Sequence, residues 1–176
     1  MKKGTQVVLS QELVTEAYEI GKQRHLANRK KGVSDQQVSK ASWYMIDGEG
    51  ACGEFAFAQM VRANPTEWAR IRDISVRSAE LRSDFGDCRY LGYNFDVKVT
   101  RYETGHLILA KTKRGNFAEA YALFTGMNGL YVFRGVISRA KIMKHISEFK
   151  YHEPSDSIWI SQEWLSDLPE DPNKST

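Results

Sequence analysis

The 176-residue sequence contains little cysteine and little proline, with two and four residues respectively. Cys52 and Cys88 lie neither in a CxxC pair nor at metal-ligand spacing from a histidine, which argues against a zinc site. We expect both to be reduced thiols in the core, with a structural disulfide as the less favoured alternative.

Long apolar runs are also missing. No stretch approaches the length that a transmembrane helix requires, and the lysine-bearing N-terminus lacks the apolar segment of a signal peptide. We therefore expect an unexported, cytoplasmic protein with no membrane partner. The hydrophobic content of 41% is sufficient for the core of one domain of this length.

The excess of positive charge is small, at +3 with a pI near 8.8. Basic residues are nevertheless concentrated in residues 22–31 (KQRHLANRKK), which contain no acid, and in a turn at 111–114. Such clusters are compatible with a solvated helix end or hairpin and equally with contacts to phosphates. The candidate nucleic-acid-binding side chains are Lys22, Arg24, Arg29, Lys30, Lys31, Lys111, Lys113 and Arg114.

Helical periodicity dominates the first part of the chain. It predicts a helix over residues 10–31 with Ser10 as its N-cap, and a buried second helix over 50–64 that ends before a proline. The turn-rich residues 32–50 predict a connection. Residues 66–86 are compatible with a short helix followed by a strand.

The second part of the chain has the pattern of strands. In residues 93–100 (YNFDVKVT), apolar and polar side chains alternate, which places Asp96 and Lys98 together on the face away from the core. Further strands are predicted over 106–112, 120–127, 130–138 and 157–165, and a helix over 139–149. This order predicts a single α+β domain over residues 1–168, with a mixed β-sheet flanked by helices, and a flexible tail at 169–176.

Asp87, Asp96 and Lys98 are the first candidates for a functional site. If the sequence CRYLGYN forms a hairpin, Asp87 returns beside Asp96, and Glu54 on the buried helix can complete the group. Ordinary explanations stay open: a surface charge pair for Asp96 and Lys98, a helix-start charge for Glu54, and a turn residue for Asp87.

The candidate group has a definite chemistry. Clustered carboxylates raise one another's pKa values unless a cation joins them, and oxygen ligands are those that Mg²⁺ or Mn²⁺ prefers. Such an ion polarises a phosphoryl oxygen, while a lysine orients water or neutralises developing charge. The pattern therefore favours metal-assisted phosphodiester hydrolysis.

A family resemblance is carried by the same residues, namely Glu54 in GEFAFA, Asp87 in FGDCRYLGYN and DVK at 96–98. They resemble the motif of the PD-(D/E)XK nuclease superfamily, except that Gly86 replaces the motif's proline and Asp84 is a rival for Asp87. Residues 13–168 are similar to small phage-encoded proteins assigned as nucleases, through segments such as IGKQRH, YxLFTG and VFRGVIS.

The resemblance implies a restriction-endonuclease-like domain and a metal-dependent nuclease, a hydrolase acting on DNA. It implies Mg²⁺ or Mn²⁺ held by Glu54, Asp87 and Asp96, with water positioned by Lys98. RNA as a substrate, a homodimer, and a host-protein partner in a host cytoplasm stay open. The alternative is a catalytically inactive nuclease-fold protein that binds nucleic acid or a host protein.

Two tryptophans near the C-terminus, Trp159 and Trp164, are most simply anchors that fix the end of the chain to the core. A role in base stacking would require their exposure.

Overall fold

A computed structural model describes residues 1–30, 43–74, 87–110 and 118–171, without the side chains of Asn28, Trp43 and Tyr44. Within these residues the α-helices are α1 (Gln11–Lys30), α2 (Trp43–Met60), α3 (Pro65–Arg72) and α4 (Arg139–Lys144). The strands are β1 (Gln6–Val8), β2 (Cys88–Tyr90), β3 (Tyr93–Thr100), β4 (Leu107–Ala110), β5 (Ala120–Met127), β6 (Leu130–Ser138), β7 (Lys150–His152) and β8 (Ser157–Ile160).

The strands form two sheets. A five-stranded sheet has the order β1-β6-β5-β3-β2 and is mixed, because β3 and β5 run parallel while the other neighbours are antiparallel. A three-stranded antiparallel sheet has the order β4-β8-β7. Together with the helices, these sheets confirm the predicted α+β domain with a mixed sheet.

Each face of the five-stranded sheet covers its own apolar core. Alternate residues of β3 and β5 pack with α1 and α2 in the first core, where Phe57 contacts Phe95 and Phe124. Residues of the opposite parity, such as Leu123, pack with the small sheet and α4 in the second core. This arrangement fixes which face of β3 each side chain occupies.

Helix α2 begins at Trp43, so the prediction of a connection is wrong for its last eight residues, 43–50. The glycines that indicated a turn are instead points of close helix contact. A Cβ at Gly21 would lie 2.5 Å from the carbonyl carbon of Asp47, and one at Gly48 would lie 2.7 Å from the Tyr18 ring. Tertiary packing of α1 on α2 therefore overrides the low helix propensity of glycine.

The sequence suggested that Pro65 ends α2, but Pro65 instead begins α3. Helix α2 ends at Met60, and Arg62 follows in the left-handed region with φ of 51°. The side chain of Asn64 caps α3 by accepting a hydrogen bond of 3.0 Å from the Glu67 amide, with Pro65 at the first helical position. Of the short helix and strand proposed for residues 66–86, the helix is present as α3, while the chain from 75 to 86 lies outside the described residues.

The predicted cap of α1 and the limits of three strands are confirmed. Ser10 caps α1 by accepting from the Leu13 amide at 3.3 Å. Strands β3, β5 and β6 have the predicted limits, whereas the helix predicted over 139–149 ends at Lys144. The three-residue strands β1 and β7 were not predicted, because so short a segment shows no clear alternation.

Cys52 and Cys88 are buried and carry unpaired thiols, as predicted. Burial raises the pKa of each thiol to about 12. Among the described residues there is no helix long and apolar enough to cross a membrane.

The first residues of the chain pair with a late segment. Ser166 exchanges two backbone hydrogen bonds of 2.8 Å with Val136 of β6. The Lys3 amide donates to the Asp167 carboxylate at 2.7 Å, and the Met1 amine donates to the Leu168 carbonyl at 2.6 Å. Leu168 is buried, so this segment belongs to the domain. Of the predicted tail, the last five residues lie outside the described part of the chain.

Candidate active site

The hairpin on which the site prediction depended is present. Strands β2 and β3 pair antiparallel, with Cys88 opposite Phe95, and the turn between them is Leu91–Gly92. Both turn residues have positive φ, 50° and 83°, which is the geometry of a tight hairpin turn. Because Cys88 pairs with Phe95, the same register continued by one residue places Asp87 opposite Asp96.

Asp87 is fixed at this position by the backbone of β3. Its Oδ2 accepts a hydrogen bond of 2.8 Å from the Val97 amide. Val97 itself points to the first core with Phe95, where both are buried. Asp96 and Lys98 therefore point to the opposite face, as the alternation predicted.

Asp96 and Lys98 form an ion pair on this face, in which the lysine Nζ donates to Asp96 Oδ1. Their side chains are 21% and 38% exposed, so both retain access to solvent. Tyr121 lies level with Asp96 on the parallel neighbour β5, and its hydroxyl accepts from the Ala118 amide at 3.1 Å.

The electrostatics of the group are those of a crowded, partly enclosed site. Burial raises the pKa of Asp96, and the nearby Asp87 carboxylate adds to this effect while Lys98 opposes it. Burial alone would lower the pKa of Lys98, but the charges of Asp96 and Asp87 raise it, so Lys98 stays an ammonium. Burial and Asp96 together raise the pKa of Tyr121 to about 12.

Glu54 lies on the helical side of the sheet and is paired with Arg24. Its two carboxylate oxygens accept from the two terminal nitrogens of the Arg24 guanidinium, each at 2.9 Å. Arg24 also donates to the Ile71 carbonyl at 2.5 Å, and it is only 8% exposed. This burial corrects the expectation that Arg24 is a surface contact for phosphate.

The predicted set is thus brought together only in part. Asp87, Asp96 and Lys98 are neighbours, whereas the Glu54 carboxylate is bound by Arg24. In the described ranges, no group of three or more His, Cys, Asp or Glu side chains is arranged to hold a metal ion. Tyr121 was not predicted, because only the strand pairing brings it level with Asp96, and the pairing of parallel strands cannot be read from one sequence.

The basic side chains at the end of α1 belong to the helical layer, which packs on the face of the sheet opposite to Asp96. Lys22 is exposed and lies 3.6 Å from Glu19, Arg29 contacts the His25 ring at 3.4 Å, and Lys30 is exposed. The remaining candidates lie outside the described residues, namely Asp84, Lys31, Lys111, Lys113 and Arg114.

Comparison with known proteins identifies a family. No curated protein and no solved structure matches the chain. One family model matches residues 1–165, which include every described element of the fold. The chain therefore belongs to DUF5843, a family of unknown function.

Proposed function

We propose that this protein is a metal-dependent nuclease that hydrolyses phosphodiester bonds in DNA. The observation that carries the proposal is the β2–β3 hairpin, which sets the Asp87 carboxylate beside Asp96 with Lys98 on the same face. The resemblance of these residues to the PD-(D/E)XK motif supports it. A restriction-endonuclease-like relationship of the fold is part of the same proposal.

The donor set suits Mg²⁺ or Mn²⁺. Mg²⁺ is commonly bound through one or two carboxylates, with water and substrate phosphate as its other ligands. Asp87 and Asp96 would supply those carboxylates. Burial, and to a smaller extent the Asp87 carboxylate, raise the pKa of Asp96, and a bound cation would offset both effects. When bound, the ion would supply electrostatic stabilisation to the phosphoryl oxygens. Glu54 as a further ligand stays a prediction.

Lys98 has a clearer role than the sequence allowed. Without a bound ion, the charges of Asp96 and Asp87 raise the pKa of Lys98, which favours its ammonium form over the neutral amine that could take a proton from water. Its ammonium instead donates hydrogen bonds, which orient a water or stabilise negative charge that develops on the phosphate. Asp96, with its raised pKa, is the better proton acceptor of the two.

The alternative is a nuclease-fold protein that binds a nucleic acid or a host protein without hydrolysis. Two ion pairs favour it, because Lys98 neutralises Asp96 and Arg24 neutralises Glu54. This function predicts binding that is indifferent to Asp96→Ala. Hydrolysis predicts that Asp96→Ala abolishes cleavage while the fold survives.

The deciding experiment is cleavage of supercoiled plasmid with Mg²⁺ or Mn²⁺, with EDTA as the blank. Wild type is compared with Lys98→Ala and with Lys2→Ala, an exposed lysine that belongs neither to the Asp96 group nor to the candidate phosphate contacts. The proposal expects metal-dependent nicking that Lys98→Ala abolishes and Lys2→Ala retains. Well-folded wild type that cleaves neither plasmid nor branched DNA would reject the proposal in favour of the alternative. Nicking that persists in Lys98→Ala would reject Lys98 and its carboxylate neighbours as the active site.

A further inference from the structure

The outer face of the three-stranded sheet carries an unusual set of side chains. Leu107 and Leu109 of β4, with Ile158 and Ile160 of β8, point inward to the second core. The alternate positions therefore point outward. They place Ile108, Trp159 and Lys150 in one row across the three strands, because Trp159 pairs with Ile108 on one side and with Lys150 on the other.

Trp159 lies at the centre of a row of three aromatic rings. The His152 ring stacks on the indole with centroids 4.7 Å apart and planes 20° apart. The His106 ring lies 5.8 Å from the indole. We call His106, Trp159, His152 and Lys150 the Trp159 strip. Its indole is held by a hydrogen bond of 3.0 Å from Nε1 to the Ser157 hydroxyl.

The strip is an accessible surface. Trp164 packs against the second core, as predicted for an anchor, but Trp159 lies on the outer face and is half-buried, which corrects the expectation for that residue. Its two imidazole neighbours are also half-buried, Ile108 is 47% exposed, and Lys150 is exposed. The rings of the strip are therefore partly accessible to solvent, as base stacking requires.

The charge of the strip is positive. Lys150 lies with its ammonium 5.9 Å from the indole centroid. The outward positions of β4, β7 and β8, all of them described residues, include no carboxylate. The acids nearest in sequence lie just outside the strands: Glu148 before β7, and Glu153 and Asp156 between β7 and β8. Aromatic rings beside a cation on a sheet face are the combination that binds bases and backbone phosphates of single strands.

We propose that the Trp159 strip is a binding site for single-stranded nucleic acid. Bases stack on the ring row, and Lys150 contacts a phosphate. Duplex DNA does not fit this mode, because the faces of its bases are already stacked on one another. The site lies on a different sheet from Asp96 and requires no hydrolysis, so it goes beyond the nuclease proposal.

Binding of labelled oligothymidylate and oligouridylate of about 12 nucleotides, followed by fluorescence anisotropy in EDTA, tests the site. Trp159→Leu removes the ring and is expected to weaken binding about tenfold or more. Tyr151→Leu is the matched control: Tyr151 is 44% exposed on the same sheet but has the opposite parity, and its loss is expected to leave affinity within about twofold.

Two milder variants keep the test decisive if Trp159→Leu fails to fold. Trp159→Phe keeps a ring and is expected to retain most of the affinity. Lys150→Met keeps the alkyl chain, weakens binding, and lowers the slope of log affinity against log salt by about 0.7, the value for one phosphate contact on a single strand. Tighter binding of either oligonucleotide distinguishes DNA from RNA, and both results support the site.

Three results would overturn the proposal: wild type binds neither oligonucleotide, all Trp159 and Lys150 variants bind as tightly as wild type, or a duplex competes equally well in every variant. The outcome is separable from the nuclease proposal. Binding that depends on Trp159 without plasmid cleavage would retain this site and reject hydrolysis. Cleavage lost in Lys98→Ala with binding insensitive to Trp159 would do the reverse.

Discussion

Single charged residues in this protein differ mainly in how far they are removed from water. Glu54 and Glu16 each accept from two nitrogens of one arginine, but Glu54 is 4% exposed whereas the Glu16 side chain is 37% exposed. An ion pair in water contributes little to stability, while a buried charge that loses its partner is costly. The two glutamates therefore provide a matched comparison.

Replacing Glu54 by glutamine is expected to lower the free energy of unfolding by about 3–5 kcal/mol, because Arg24 stays buried without a counter-charge. Glu16→Gln should change it by less than about 1 kcal/mol. Urea denaturation of the two variants, followed by circular dichroism, measures both values. Equal losses would mean that Glu54 is held in a more hydrated state than its burial indicates.

Lys98→Met should destabilise the fold in a pH-dependent way. The pKa of Asp96 is already raised in the folded state, and removal of the ammonium raises it further. A carboxyl with a raised pKa favours folding below its ordinary pKa and loses this contribution as pH rises through the folded value. The loss is expected to be about 2 kcal/mol near pH 7 and smaller near pH 4, since the pair is only partly buried.

Thermal or urea unfolding of Lys98→Met and wild type across this pH range, in EDTA, makes the measurement. Asp96→Asn combined with Lys98→Met serves as the control, because it removes the titrating carboxyl and should make the difference independent of pH. A loss in Lys98→Met that is constant with pH would contradict the ion pair between Lys98 and Asp96.

For single residues, the sequence predicted the features that depend on the alternation of side chains within one strand. It placed Asp96 and Lys98 on the same face and Asp87 at the start of the hairpin. It could not show that Arg24, in the basic segment 22–31, is buried. That burial depends on the ion pair with Glu54 of a second helix. Nor could it show Tyr121, which lies beside Asp96 through long-range pairing.

Helix α2 packs directly on β3, so the distance between this helix and this strand determines where the site residues of β3 lie. Gly53 faces β3 so closely that a Cβ there would lie 2.1 Å from the Val99 Cγ2 atom. One turn earlier, a Cβ at Gly50 would meet no atom within 4 Å. Two glycines in one helix thus have different environments.

Gly50→Ala should stabilise the protein by about 0.5–1 kcal/mol, because alanine has the higher helix propensity. Gly53→Ala gains the same propensity but forces α2 away from β3, with an expected net loss of about 1–3 kcal/mol. Melting temperatures and urea midpoints compare the two. In a protein that cleaves DNA, Gly53→Ala should also lower activity, since it displaces Asp96 and Lys98. Two variants of equal stability would refute the close contact.

The same element shows where prediction from sequence stops. Long amphipathic or alternating segments, such as α1 and β3, were predicted with nearly the observed limits. The first eight residues of α2 were not, because glycine reads as a turn signal unless the neighbouring helix is known to approach it. The short strands β1 and β7 exist through their partners, which supply the hydrogen bonds that their own three residues cannot specify.

At the scale of the whole molecule, the five-stranded sheet separates two apolar cores. The two thiols are both buried in the first core, so their reactivity reports on its opening. Cys52 on α2 and Cys88 on β2 are both fully buried, and each has a pKa of about 12. Reaction with a thiol reagent needs an exposed thiolate, so both should react only after the first core opens. We expect equal labelling rates with the same urea dependence at the two positions.

Mass spectrometry of the partly labelled protein measures the two rates in one sample. Faster labelling of Cys88 would contradict a single cooperative unit. It would mean that the β2 edge opens by itself, and Asp87 would then leave Asp96 in the open state.

The pairing of the first residues with residues 166–168 has a consequence for the order of folding. Strand β1 pairs with one part of β6, and Ser166 pairs with Val136 of the same strand. Contacts between residues 1–3 and 166–168 join positions that are very far apart in sequence, so closing them costs much chain entropy and is expected late in folding. Until then this side of β6 stays open to pairing with another chain.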